Sequence, residues 1–240
     1  MRYVIAGQGE PVVLIHGYGA SVVTNWQMSG CIDALASQYR VIALDMRGHG
    51  RSEKPLHAAA YSTAQLAEDV LAVLDEEGIQ QARIAGYSMG GMVALHLLLE
   101  FPERVRAAVI GGMGASFPRR LDRHDTCRDC EDGADGLMPS RRVTTRFLRA
   151  YFGRFHPLAM YAAYRGILQH GQPADASRLG EITAPVMCIA GSRDHLCRSA
   201  RALAEGIAGA EFVLLQGESH LSALGNPQLR EAMLRFFASV

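Results

Sequence analysis

The residues best suited to chemistry lie in the stretch Ile84-Ala-Gly-Tyr-Ser-Met-Gly-Gly91, where Ser88 has Gly86 two residues before it and Gly90 two after. Arg83-Ile-Ala reads as the end of a buried strand, and Met92-Val-Ala-Leu-His-Leu-Leu-Leu99 is an apolar run of helical length. Strand, Gly-x-Ser-x-Gly and helix together make a nucleophile-elbow pattern. A strand that reverses into a helix within one residue brings the two backbones almost into contact, so glycine suits the positions on either side of the turn. The turning residue is strained and its hydroxyl stands clear of the sheet edge. It sits beside a helix N-terminus, whose unpaired N–H groups and positive dipole end suit a developing oxyanion.

A serine hydroxyl is a poor nucleophile at its own pKa and needs a base, and the base needs an orienting acid. Histidine suits the base role because it titrates near neutrality. Of nine histidines, only His220 falls in a loop just past a late strand with small residues around it, Ser219, Ser222 and Ala223. His195, beside Asp194, is its competitor. His96 lies within a helical run, and His16 and His49 sit in turns next to glycines, where structural roles are expected. His57, His124, His156 and His170 lie in connections or in the segment beyond residue 115. For the acid, the loop after the sixth strand supplies Asp194, whereas the loop after the fifth, Gly111-Gly-Met-Gly114, holds no carboxylate. Asp45 also ends a strand, but within the turn Asp45–Ser52 it reads as a turn-forming carboxylate. The order Ser88, Asp194, His220 is the one this elbow type uses. Two N–H donors complete the set: Met89, directly after the serine, and Tyr18, in the loop His16-Gly-Tyr-Gly19 after the second strand.

These residues need a sheet to gather them. Arg2–Ala6, Pro11–Ile15, Arg40–Leu44, the elbow strand, Val105–Ile110, Val186–Ala190 and Glu211–Leu215 read as strands. Continuous apolar runs such as Pro11-Val-Val-Leu-Ile15 mark strands buried on both faces. Helical spacing is expected over Trp26–Ala36, over Ala64–Asp75 with Gly78 as its C-terminal cap, after the elbow, after Asp194 to Leu203, and over Leu229–Phe237 opened by Pro227. Alternating strands and helices make a doubly wound, mostly parallel sheet with ligands beyond the carboxyl ends of the strands, which is where every glycine-, His- and Asp-rich loop falls. The alternation breaks at residues 115–181. Arg119–Gly136 is charged and reads as a loop, and Val143–Leu168 is helical in period and aromatic. The core is therefore expected at 1–114 and 182–240, with 115–181 a helical cap over the strand ends.

The 240 residues, 49 % hydrophobic and 20 % charged, suit one large domain with a sizeable core. Formal net charge is zero, which gives no basic face for nucleic acid or an anionic membrane. No apolar run reaches the ~18–20 residues that span a bilayer, and no secretion signal opens the chain. Five cysteines, an odd number, fit reduced thiols in a cytoplasmic protein. His124, Cys127 and Cys130 offer three metal ligands where a structural zinc site takes four, so no metal is expected.

His16-Gly-Tyr-Gly, Asp45-Met-Arg-Gly-His-Gly-Arg-Ser, Gly86-Tyr-Ser-Met-Gly-Gly, Gly191-Ser-Arg-Asp and Ser219-His220 together resemble the α/β-hydrolase superfamily, in its small-cap, esterase-like branch. The resemblance implies a Ser-His-Asp triad, no cofactor, and a cap that forms the acyl or alcohol pocket. Serine at 88 speaks against the dehalogenase and epoxide-hydrolase branches, which use a nucleophilic aspartate. Family members usually carry one more strand upstream of the region equivalent to Tyr3–Ala6; with Met1 where it stands, the sheet is expected to lack it. The expected function is a serine hydrolase of small to medium carboxylic esters. Enol-lactone or C–C bond hydrolysis with the same triad is the alternative, and a ligand-binding receptor on the same fold is a further one. The partner is a small-molecule ester; the sequence leaves oligomeric state open.

Overall fold

The computed structural model of the chain describes residues 1–114, 156–170 and 176–240. Among these residues seven strands form one sheet: β1 (Arg2–Ala6), β2 (Pro11–Ile15), β3 (Arg40–Asp45), β4 (Ala82–Tyr87), β5 (Val105–Gly111), β6 (Val186–Gly191) and β7 (Glu211–Leu215). Their order is β1-β3-β2-β4-β5-β6-β7. Only β1 runs antiparallel, paired with β3 through Arg2 opposite Asp45, and no strand lies outside it among the described residues.

Alternation along each buried strand sends side chains to two cores. On one face Val13, Ile15, Ile42, Leu44, Ile84 and Ile110 pack against α2 (Thr63–Glu76), α3 (Met89–Glu100) and α5 (Cys197–Gly206). On the other, Val12, Leu14, Val41, Ala43, Val109 and Ile189 pack against α1 (Cys31–Ala36) and α6 (Pro227–Ala238), where Phe236 and Phe237 are buried. Helices thus cover both faces, as the continuous apolar strands demand. α2 starts at an N-cap Ser62 whose hydroxyl accepts from the Gln65 N–H, and α6 starts at Asn226 with Pro227 in its first turn.

One helix differs from its sequence pattern. The apolar spacing over Trp26–Ala36 suggests a single helix, yet Val22–Gln27 is a π-helical turn and α1 begins only at Cys31. Gly30, in the left-handed region at φ 72°, breaks the run between them. Of the expected 115–181 insertion, the described part is α4 (Pro157–His170) and the short turn Ala176–Glu181. α4 lies against Ala58–Tyr61, close enough that a Cβ at Gly166 would collide with the Ala58 carbonyl. Arg119–Gly136, the helical expectation over 143–155, and His124, Cys127 and Cys130 lie outside the described residues. No helix among the described residues is long and apolar enough to cross a membrane.

The side on which successive strands are added changes between β2 and β4, which run parallel: β3 is added on one side of β2, β4 and its successors on the other. Loops after β2 and β4 therefore diverge from a crevice at the carboxyl end of the sheet, the position at which such sheets bind ligands.

Candidate active site

Ser88 occupies the crevice. It is the only non-glycine residue with positive φ among the described residues, at φ 54° and ψ −112°. That conformation is the first central position of a type II′ turn, which glycine takes readily and other residues only under strain. The flanking glycines allow it. A Cβ at Gly86 would run into the Gly90 carbonyl, and one at Gly90 into the Ile15 carbonyl of the neighbouring strand. Strand end, helix start and the adjacent strand are packed backbone to backbone at this point.

Ser88 caps α3 without a side-chain capping bond, so its hydroxyl is not spent on the helix. Its own N–H donates to Gly111 O at 2.8 Å, tying the elbow to β5. As the first residue of α3, Met89 has no helical partner for its N–H. Across the crevice, a Cβ at Gly17 would sit 3.4 Å from Ser88 Cβ. Tyr18 follows directly, and its N–H donates to no group among the described residues. Gly17, the residue before Tyr18, thus lies against the serine, and Met89 follows the serine in the chain.

Asp194 and His220 meet. Nδ1 of His220 lies 2.8 Å from Asp194 Oδ2, and the other oxygen, Oδ1, accepts the Leu196 N–H at 2.9 Å. Burial alone would raise the Asp194 carboxyl; the His220 hydrogen bond and the Leu196 N–H outweigh it and hold the group below the usual carboxylate range. An ionised carboxylate only accepts, so Nδ1 carries the proton and Nε2 is left as the basic nitrogen. His195, the competitor, has a side chain 77 % exposed and stands 3.5 Å from Oδ1, whereas His220 is 22 % exposed. The third contact is not made: the Ser88 hydroxyl has no hydrogen-bond partner among the described residues. Catalytic hydrogen bonds of unliganded sites are often long and tighten on binding.

Other candidates find structural work. Asp45 accepts the Val22 N–H at 2.8 Å and the Arg51 N–H at 2.9 Å, which spends its carboxylate on the turn. His16 Nε2 accepts the Met46 N–H at 3.0 Å, so its Nδ1 proton turns to Gly17 O at 2.8 Å. Burial lowers the pKa of His16 and brings that of His49 down to about 3, so both are neutral.

Two residues near the site escape sequence reasoning. Asn25 Oδ1 accepts the Gly17 N–H at 3.2 Å and so fixes the loop that carries Tyr18. Tyr87 donates its hydroxyl proton to the His220 carbonyl at 2.5 Å. Nothing in local spacing marks either; Tyr87 occupies a variable position of its motif, and its partner is 133 residues away. Tyr18 itself reaches across to α4, donating its hydroxyl to Met160 O at 2.9 Å.

Comparison with known proteins follows the same lines. The sequence model of a family described as the alpha/beta hydrolase fold matches residues 10–150. The dihydrolipoyllysine-residue acetyltransferase component of an acetoin cleaving system from Cupriavidus necator is 31 % identical over 98 % of this chain and 65 % of its own length. A 2-hydroxymuconate semialdehyde hydrolase from Pseudomonas putida is 44 % identical over 47 % of this chain and 40 % of its own. This chain thus spans less than two thirds of the length of both. Among solved structures, the enol-lactonase of Burkholderia xenovorans superposes with a TM-score of 0.77 at 25 % identity, covering 99 % of this chain and 96 % of that one.

Proposed function

The chain belongs to the α/β-hydrolase fold family, and from that premise we propose that it is a serine hydrolase that cleaves small to medium carboxylic esters through an acyl-enzyme. The observation that carries this reading is the ionised Asp194 holding His220 with Nε2 free, on the same sheet edge as a serine in a strained elbow. Nε2 of His220 takes the Ser88 proton as Oγ attacks the ester carbonyl. The Tyr18 and Met89 N–H groups hold the oxyanion, and His220 returns the proton to the departing alcohol. Water, deprotonated by His220, then attacks the acyl carbon, the bond to Ser88 Oγ breaks as His220 returns the proton to that oxygen, and the acid leaves; Asp194 keeps the imidazole in the productive tautomer and stabilises its cation. α4, the described helix of the expected cap, is the part that Tyr18 grips, through its hydroxyl bond to Met160 O. No cofactor is required.

A second reading is favoured by likeness. Similarity to an enol-lactonase and to a 2-hydroxymuconate semialdehyde hydrolase supports a cyclic ester or a C–C bond as the scissile group. The same three side chains serve either, because each begins with attack on a carbonyl or protonation beside one. A panel of p-nitrophenyl acetate and butyrate, an enol-lactone and a vinylogous diketone separates them. Ester turnover, lost in Ser88→Ala together with stoichiometric fluorophosphonate labelling, is the expected result. Turnover of the lactone or diketone alone moves the assignment to the second reading. A wild-type protein that binds these compounds without labelling or turnover would instead be a receptor on this fold.

A further inference from the structure

We infer that Tyr87 is a positioning residue that sets the spacing between base and nucleophile; the inference rests on the triad proposed above. Asp194 fixes the rotation and tautomer of the His220 ring, but not how far the His220 backbone stands from the elbow. β7, which leads into the His220 loop, is the sheet edge, with β6 and β5 between it and β4. The start of that loop is anchored to the loop after β6, where Glu218 O accepts the Arg193 N–H at 2.8 Å. Its tip is anchored to β4. The Tyr87 phenol donates to the His220 main-chain carbonyl at 2.5 Å, and the two rings lie 5.4 Å apart between centroids. Tyr87 is covalently next to Ser88 and buried. Its rigid ring is therefore a strut of fixed length from the backbone of the nucleophile to the backbone of the base.

The end of β5 leaves room for the strut. A Cβ at Gly111 would come within 2.6 Å of Tyr87 Cδ2, and one at Gly112 within 2.8 Å of Cζ and 3.0 Å of His220 Cε1. Gly111 O also accepts the Ser88 N–H. Tyrosine ring, imidazole edge and elbow thus share one pair of side-chain-free residues. Without the phenol hydroxyl the His220 carbonyl loses its partner and the loop tip can drift, while Asp194 stays in place.

Tyr87→Phe tests this, because it keeps the ring and removes only the strut's end. A displacement of about an ångström at a reacting group costs on the order of a hundredfold. The expected result is kcat down roughly ten- to hundredfold with KM little changed, fluorophosphonate labelling slowed in parallel, and the low-field Nδ1–H proton resonance of His220 broadened. Tyr3→Phe is the control: it removes a comparable phenol bond, to Glu77 at 2.6 Å, at the far edge of the sheet, and should leave kcat unchanged. Gly112→Ala presses on the tyrosine and imidazole from the other side and should lower kcat as well. Rates are taken per folded molecule, from near-ultraviolet circular dichroism, so loss of stability does not enter them. Wild-type kcat and labelling rate per folded molecule in Tyr87→Phe, in an enzyme whose labelling still depends on Ser88, would overturn the inference and leave the triad standing. A wild-type protein that is not labelled at all would remove both.

Discussion

At position 88 function and stability pull against each other. The backbone there has φ 54° and ψ −112°, a region that costs a residue with a Cβ ~1–3 kcal/mol. Glycine adopts it without that strain, at an entropic cost of about 0.5–1 kcal/mol. Ser88→Gly should therefore be more stable than Ser88→Ala by roughly 1–2 kcal/mol, and both should lose turnover by about four orders of magnitude or more. Urea denaturation of the pair, run beside an activity assay, checks this. An alanine variant as stable as the glycine one would mean that the elbow carries no strain. The same residue-scale logic separates His220 from His195. Both imidazoles approach Asp194, but only the half-buried one is held at hydrogen-bonding distance, which is the geometry a base needs to keep a single tautomer.

At the scale of elements, the site depends on three backbones that touch. β2, the end of β4 and the first turn of α3 meet at Gly86 and Gly90, where any side chain would collide with a carbonyl. Those carbonyls belong to a strand and a helix and cannot move independently of the sheet. Gly90→Ala should cost at least about 2–4 kcal/mol or leave the protein insoluble. Equilibrium unfolding measures the first and the yield of soluble protein the second. Wild-type stability would show that the elbow can open without disturbing β2. The turn after β3 is held in a different way, by Asp45 from within and by the paired Arg47–Asp69 bonds to α2, both at 2.6 Å. Its role is to seat His16, and through His16 the loop that carries Tyr18.

The whole molecule stores a pH dependence beneath the site. His16 and His49 are buried and neutral, with ring centroids 5.1 Å apart. Burial is the main cause of their lowered pKa values, His49 standing at about 3. The unfolded chain takes up these protons near pH ~6.5, whereas the folded chain takes both up only at lower pH, His49 not until about 3. Unfolding then binds protons, so stability is full above pH ~6.5 and falls as the pH drops below it, by about 1.4 kcal/mol per pH unit for each such group. Asp194, whose carboxyl is held low in the folded state, adds a loss only below pH ~4. Unfolding free energies at pH 7, 6, 5 and 4 should decline as the pH falls, more steeply below pH ~6 than above it, and the decline should be shallower by up to about one proton in His49→Gln. A flat course from pH 6.5 to 5 would rule out the neutral pair.

Local rules along the chain were enough to mark several elements. Gly-x-Ser-x-Gly between a strand and a helix places Ser88, because only a reversal without side chains on either flank fits those residues. Apolar runs mark strands buried on both faces, and the loops at their ends hold Asp194 and His220. Each of these is a statement about neighbours in the chain. The tertiary structure alone decided contacts between residues far apart. It broke the helix expected over Trp26–Ala36 at Gly30, set Asn25 against the Gly17 N–H, and joined Tyr87 to the His220 carbonyl. Those outcomes depend on sheet order, which brings the ends of β4, β5, β6 and β7 side by side. Periodicity reports which face of an element is buried, but it is silent on which element lies next to it.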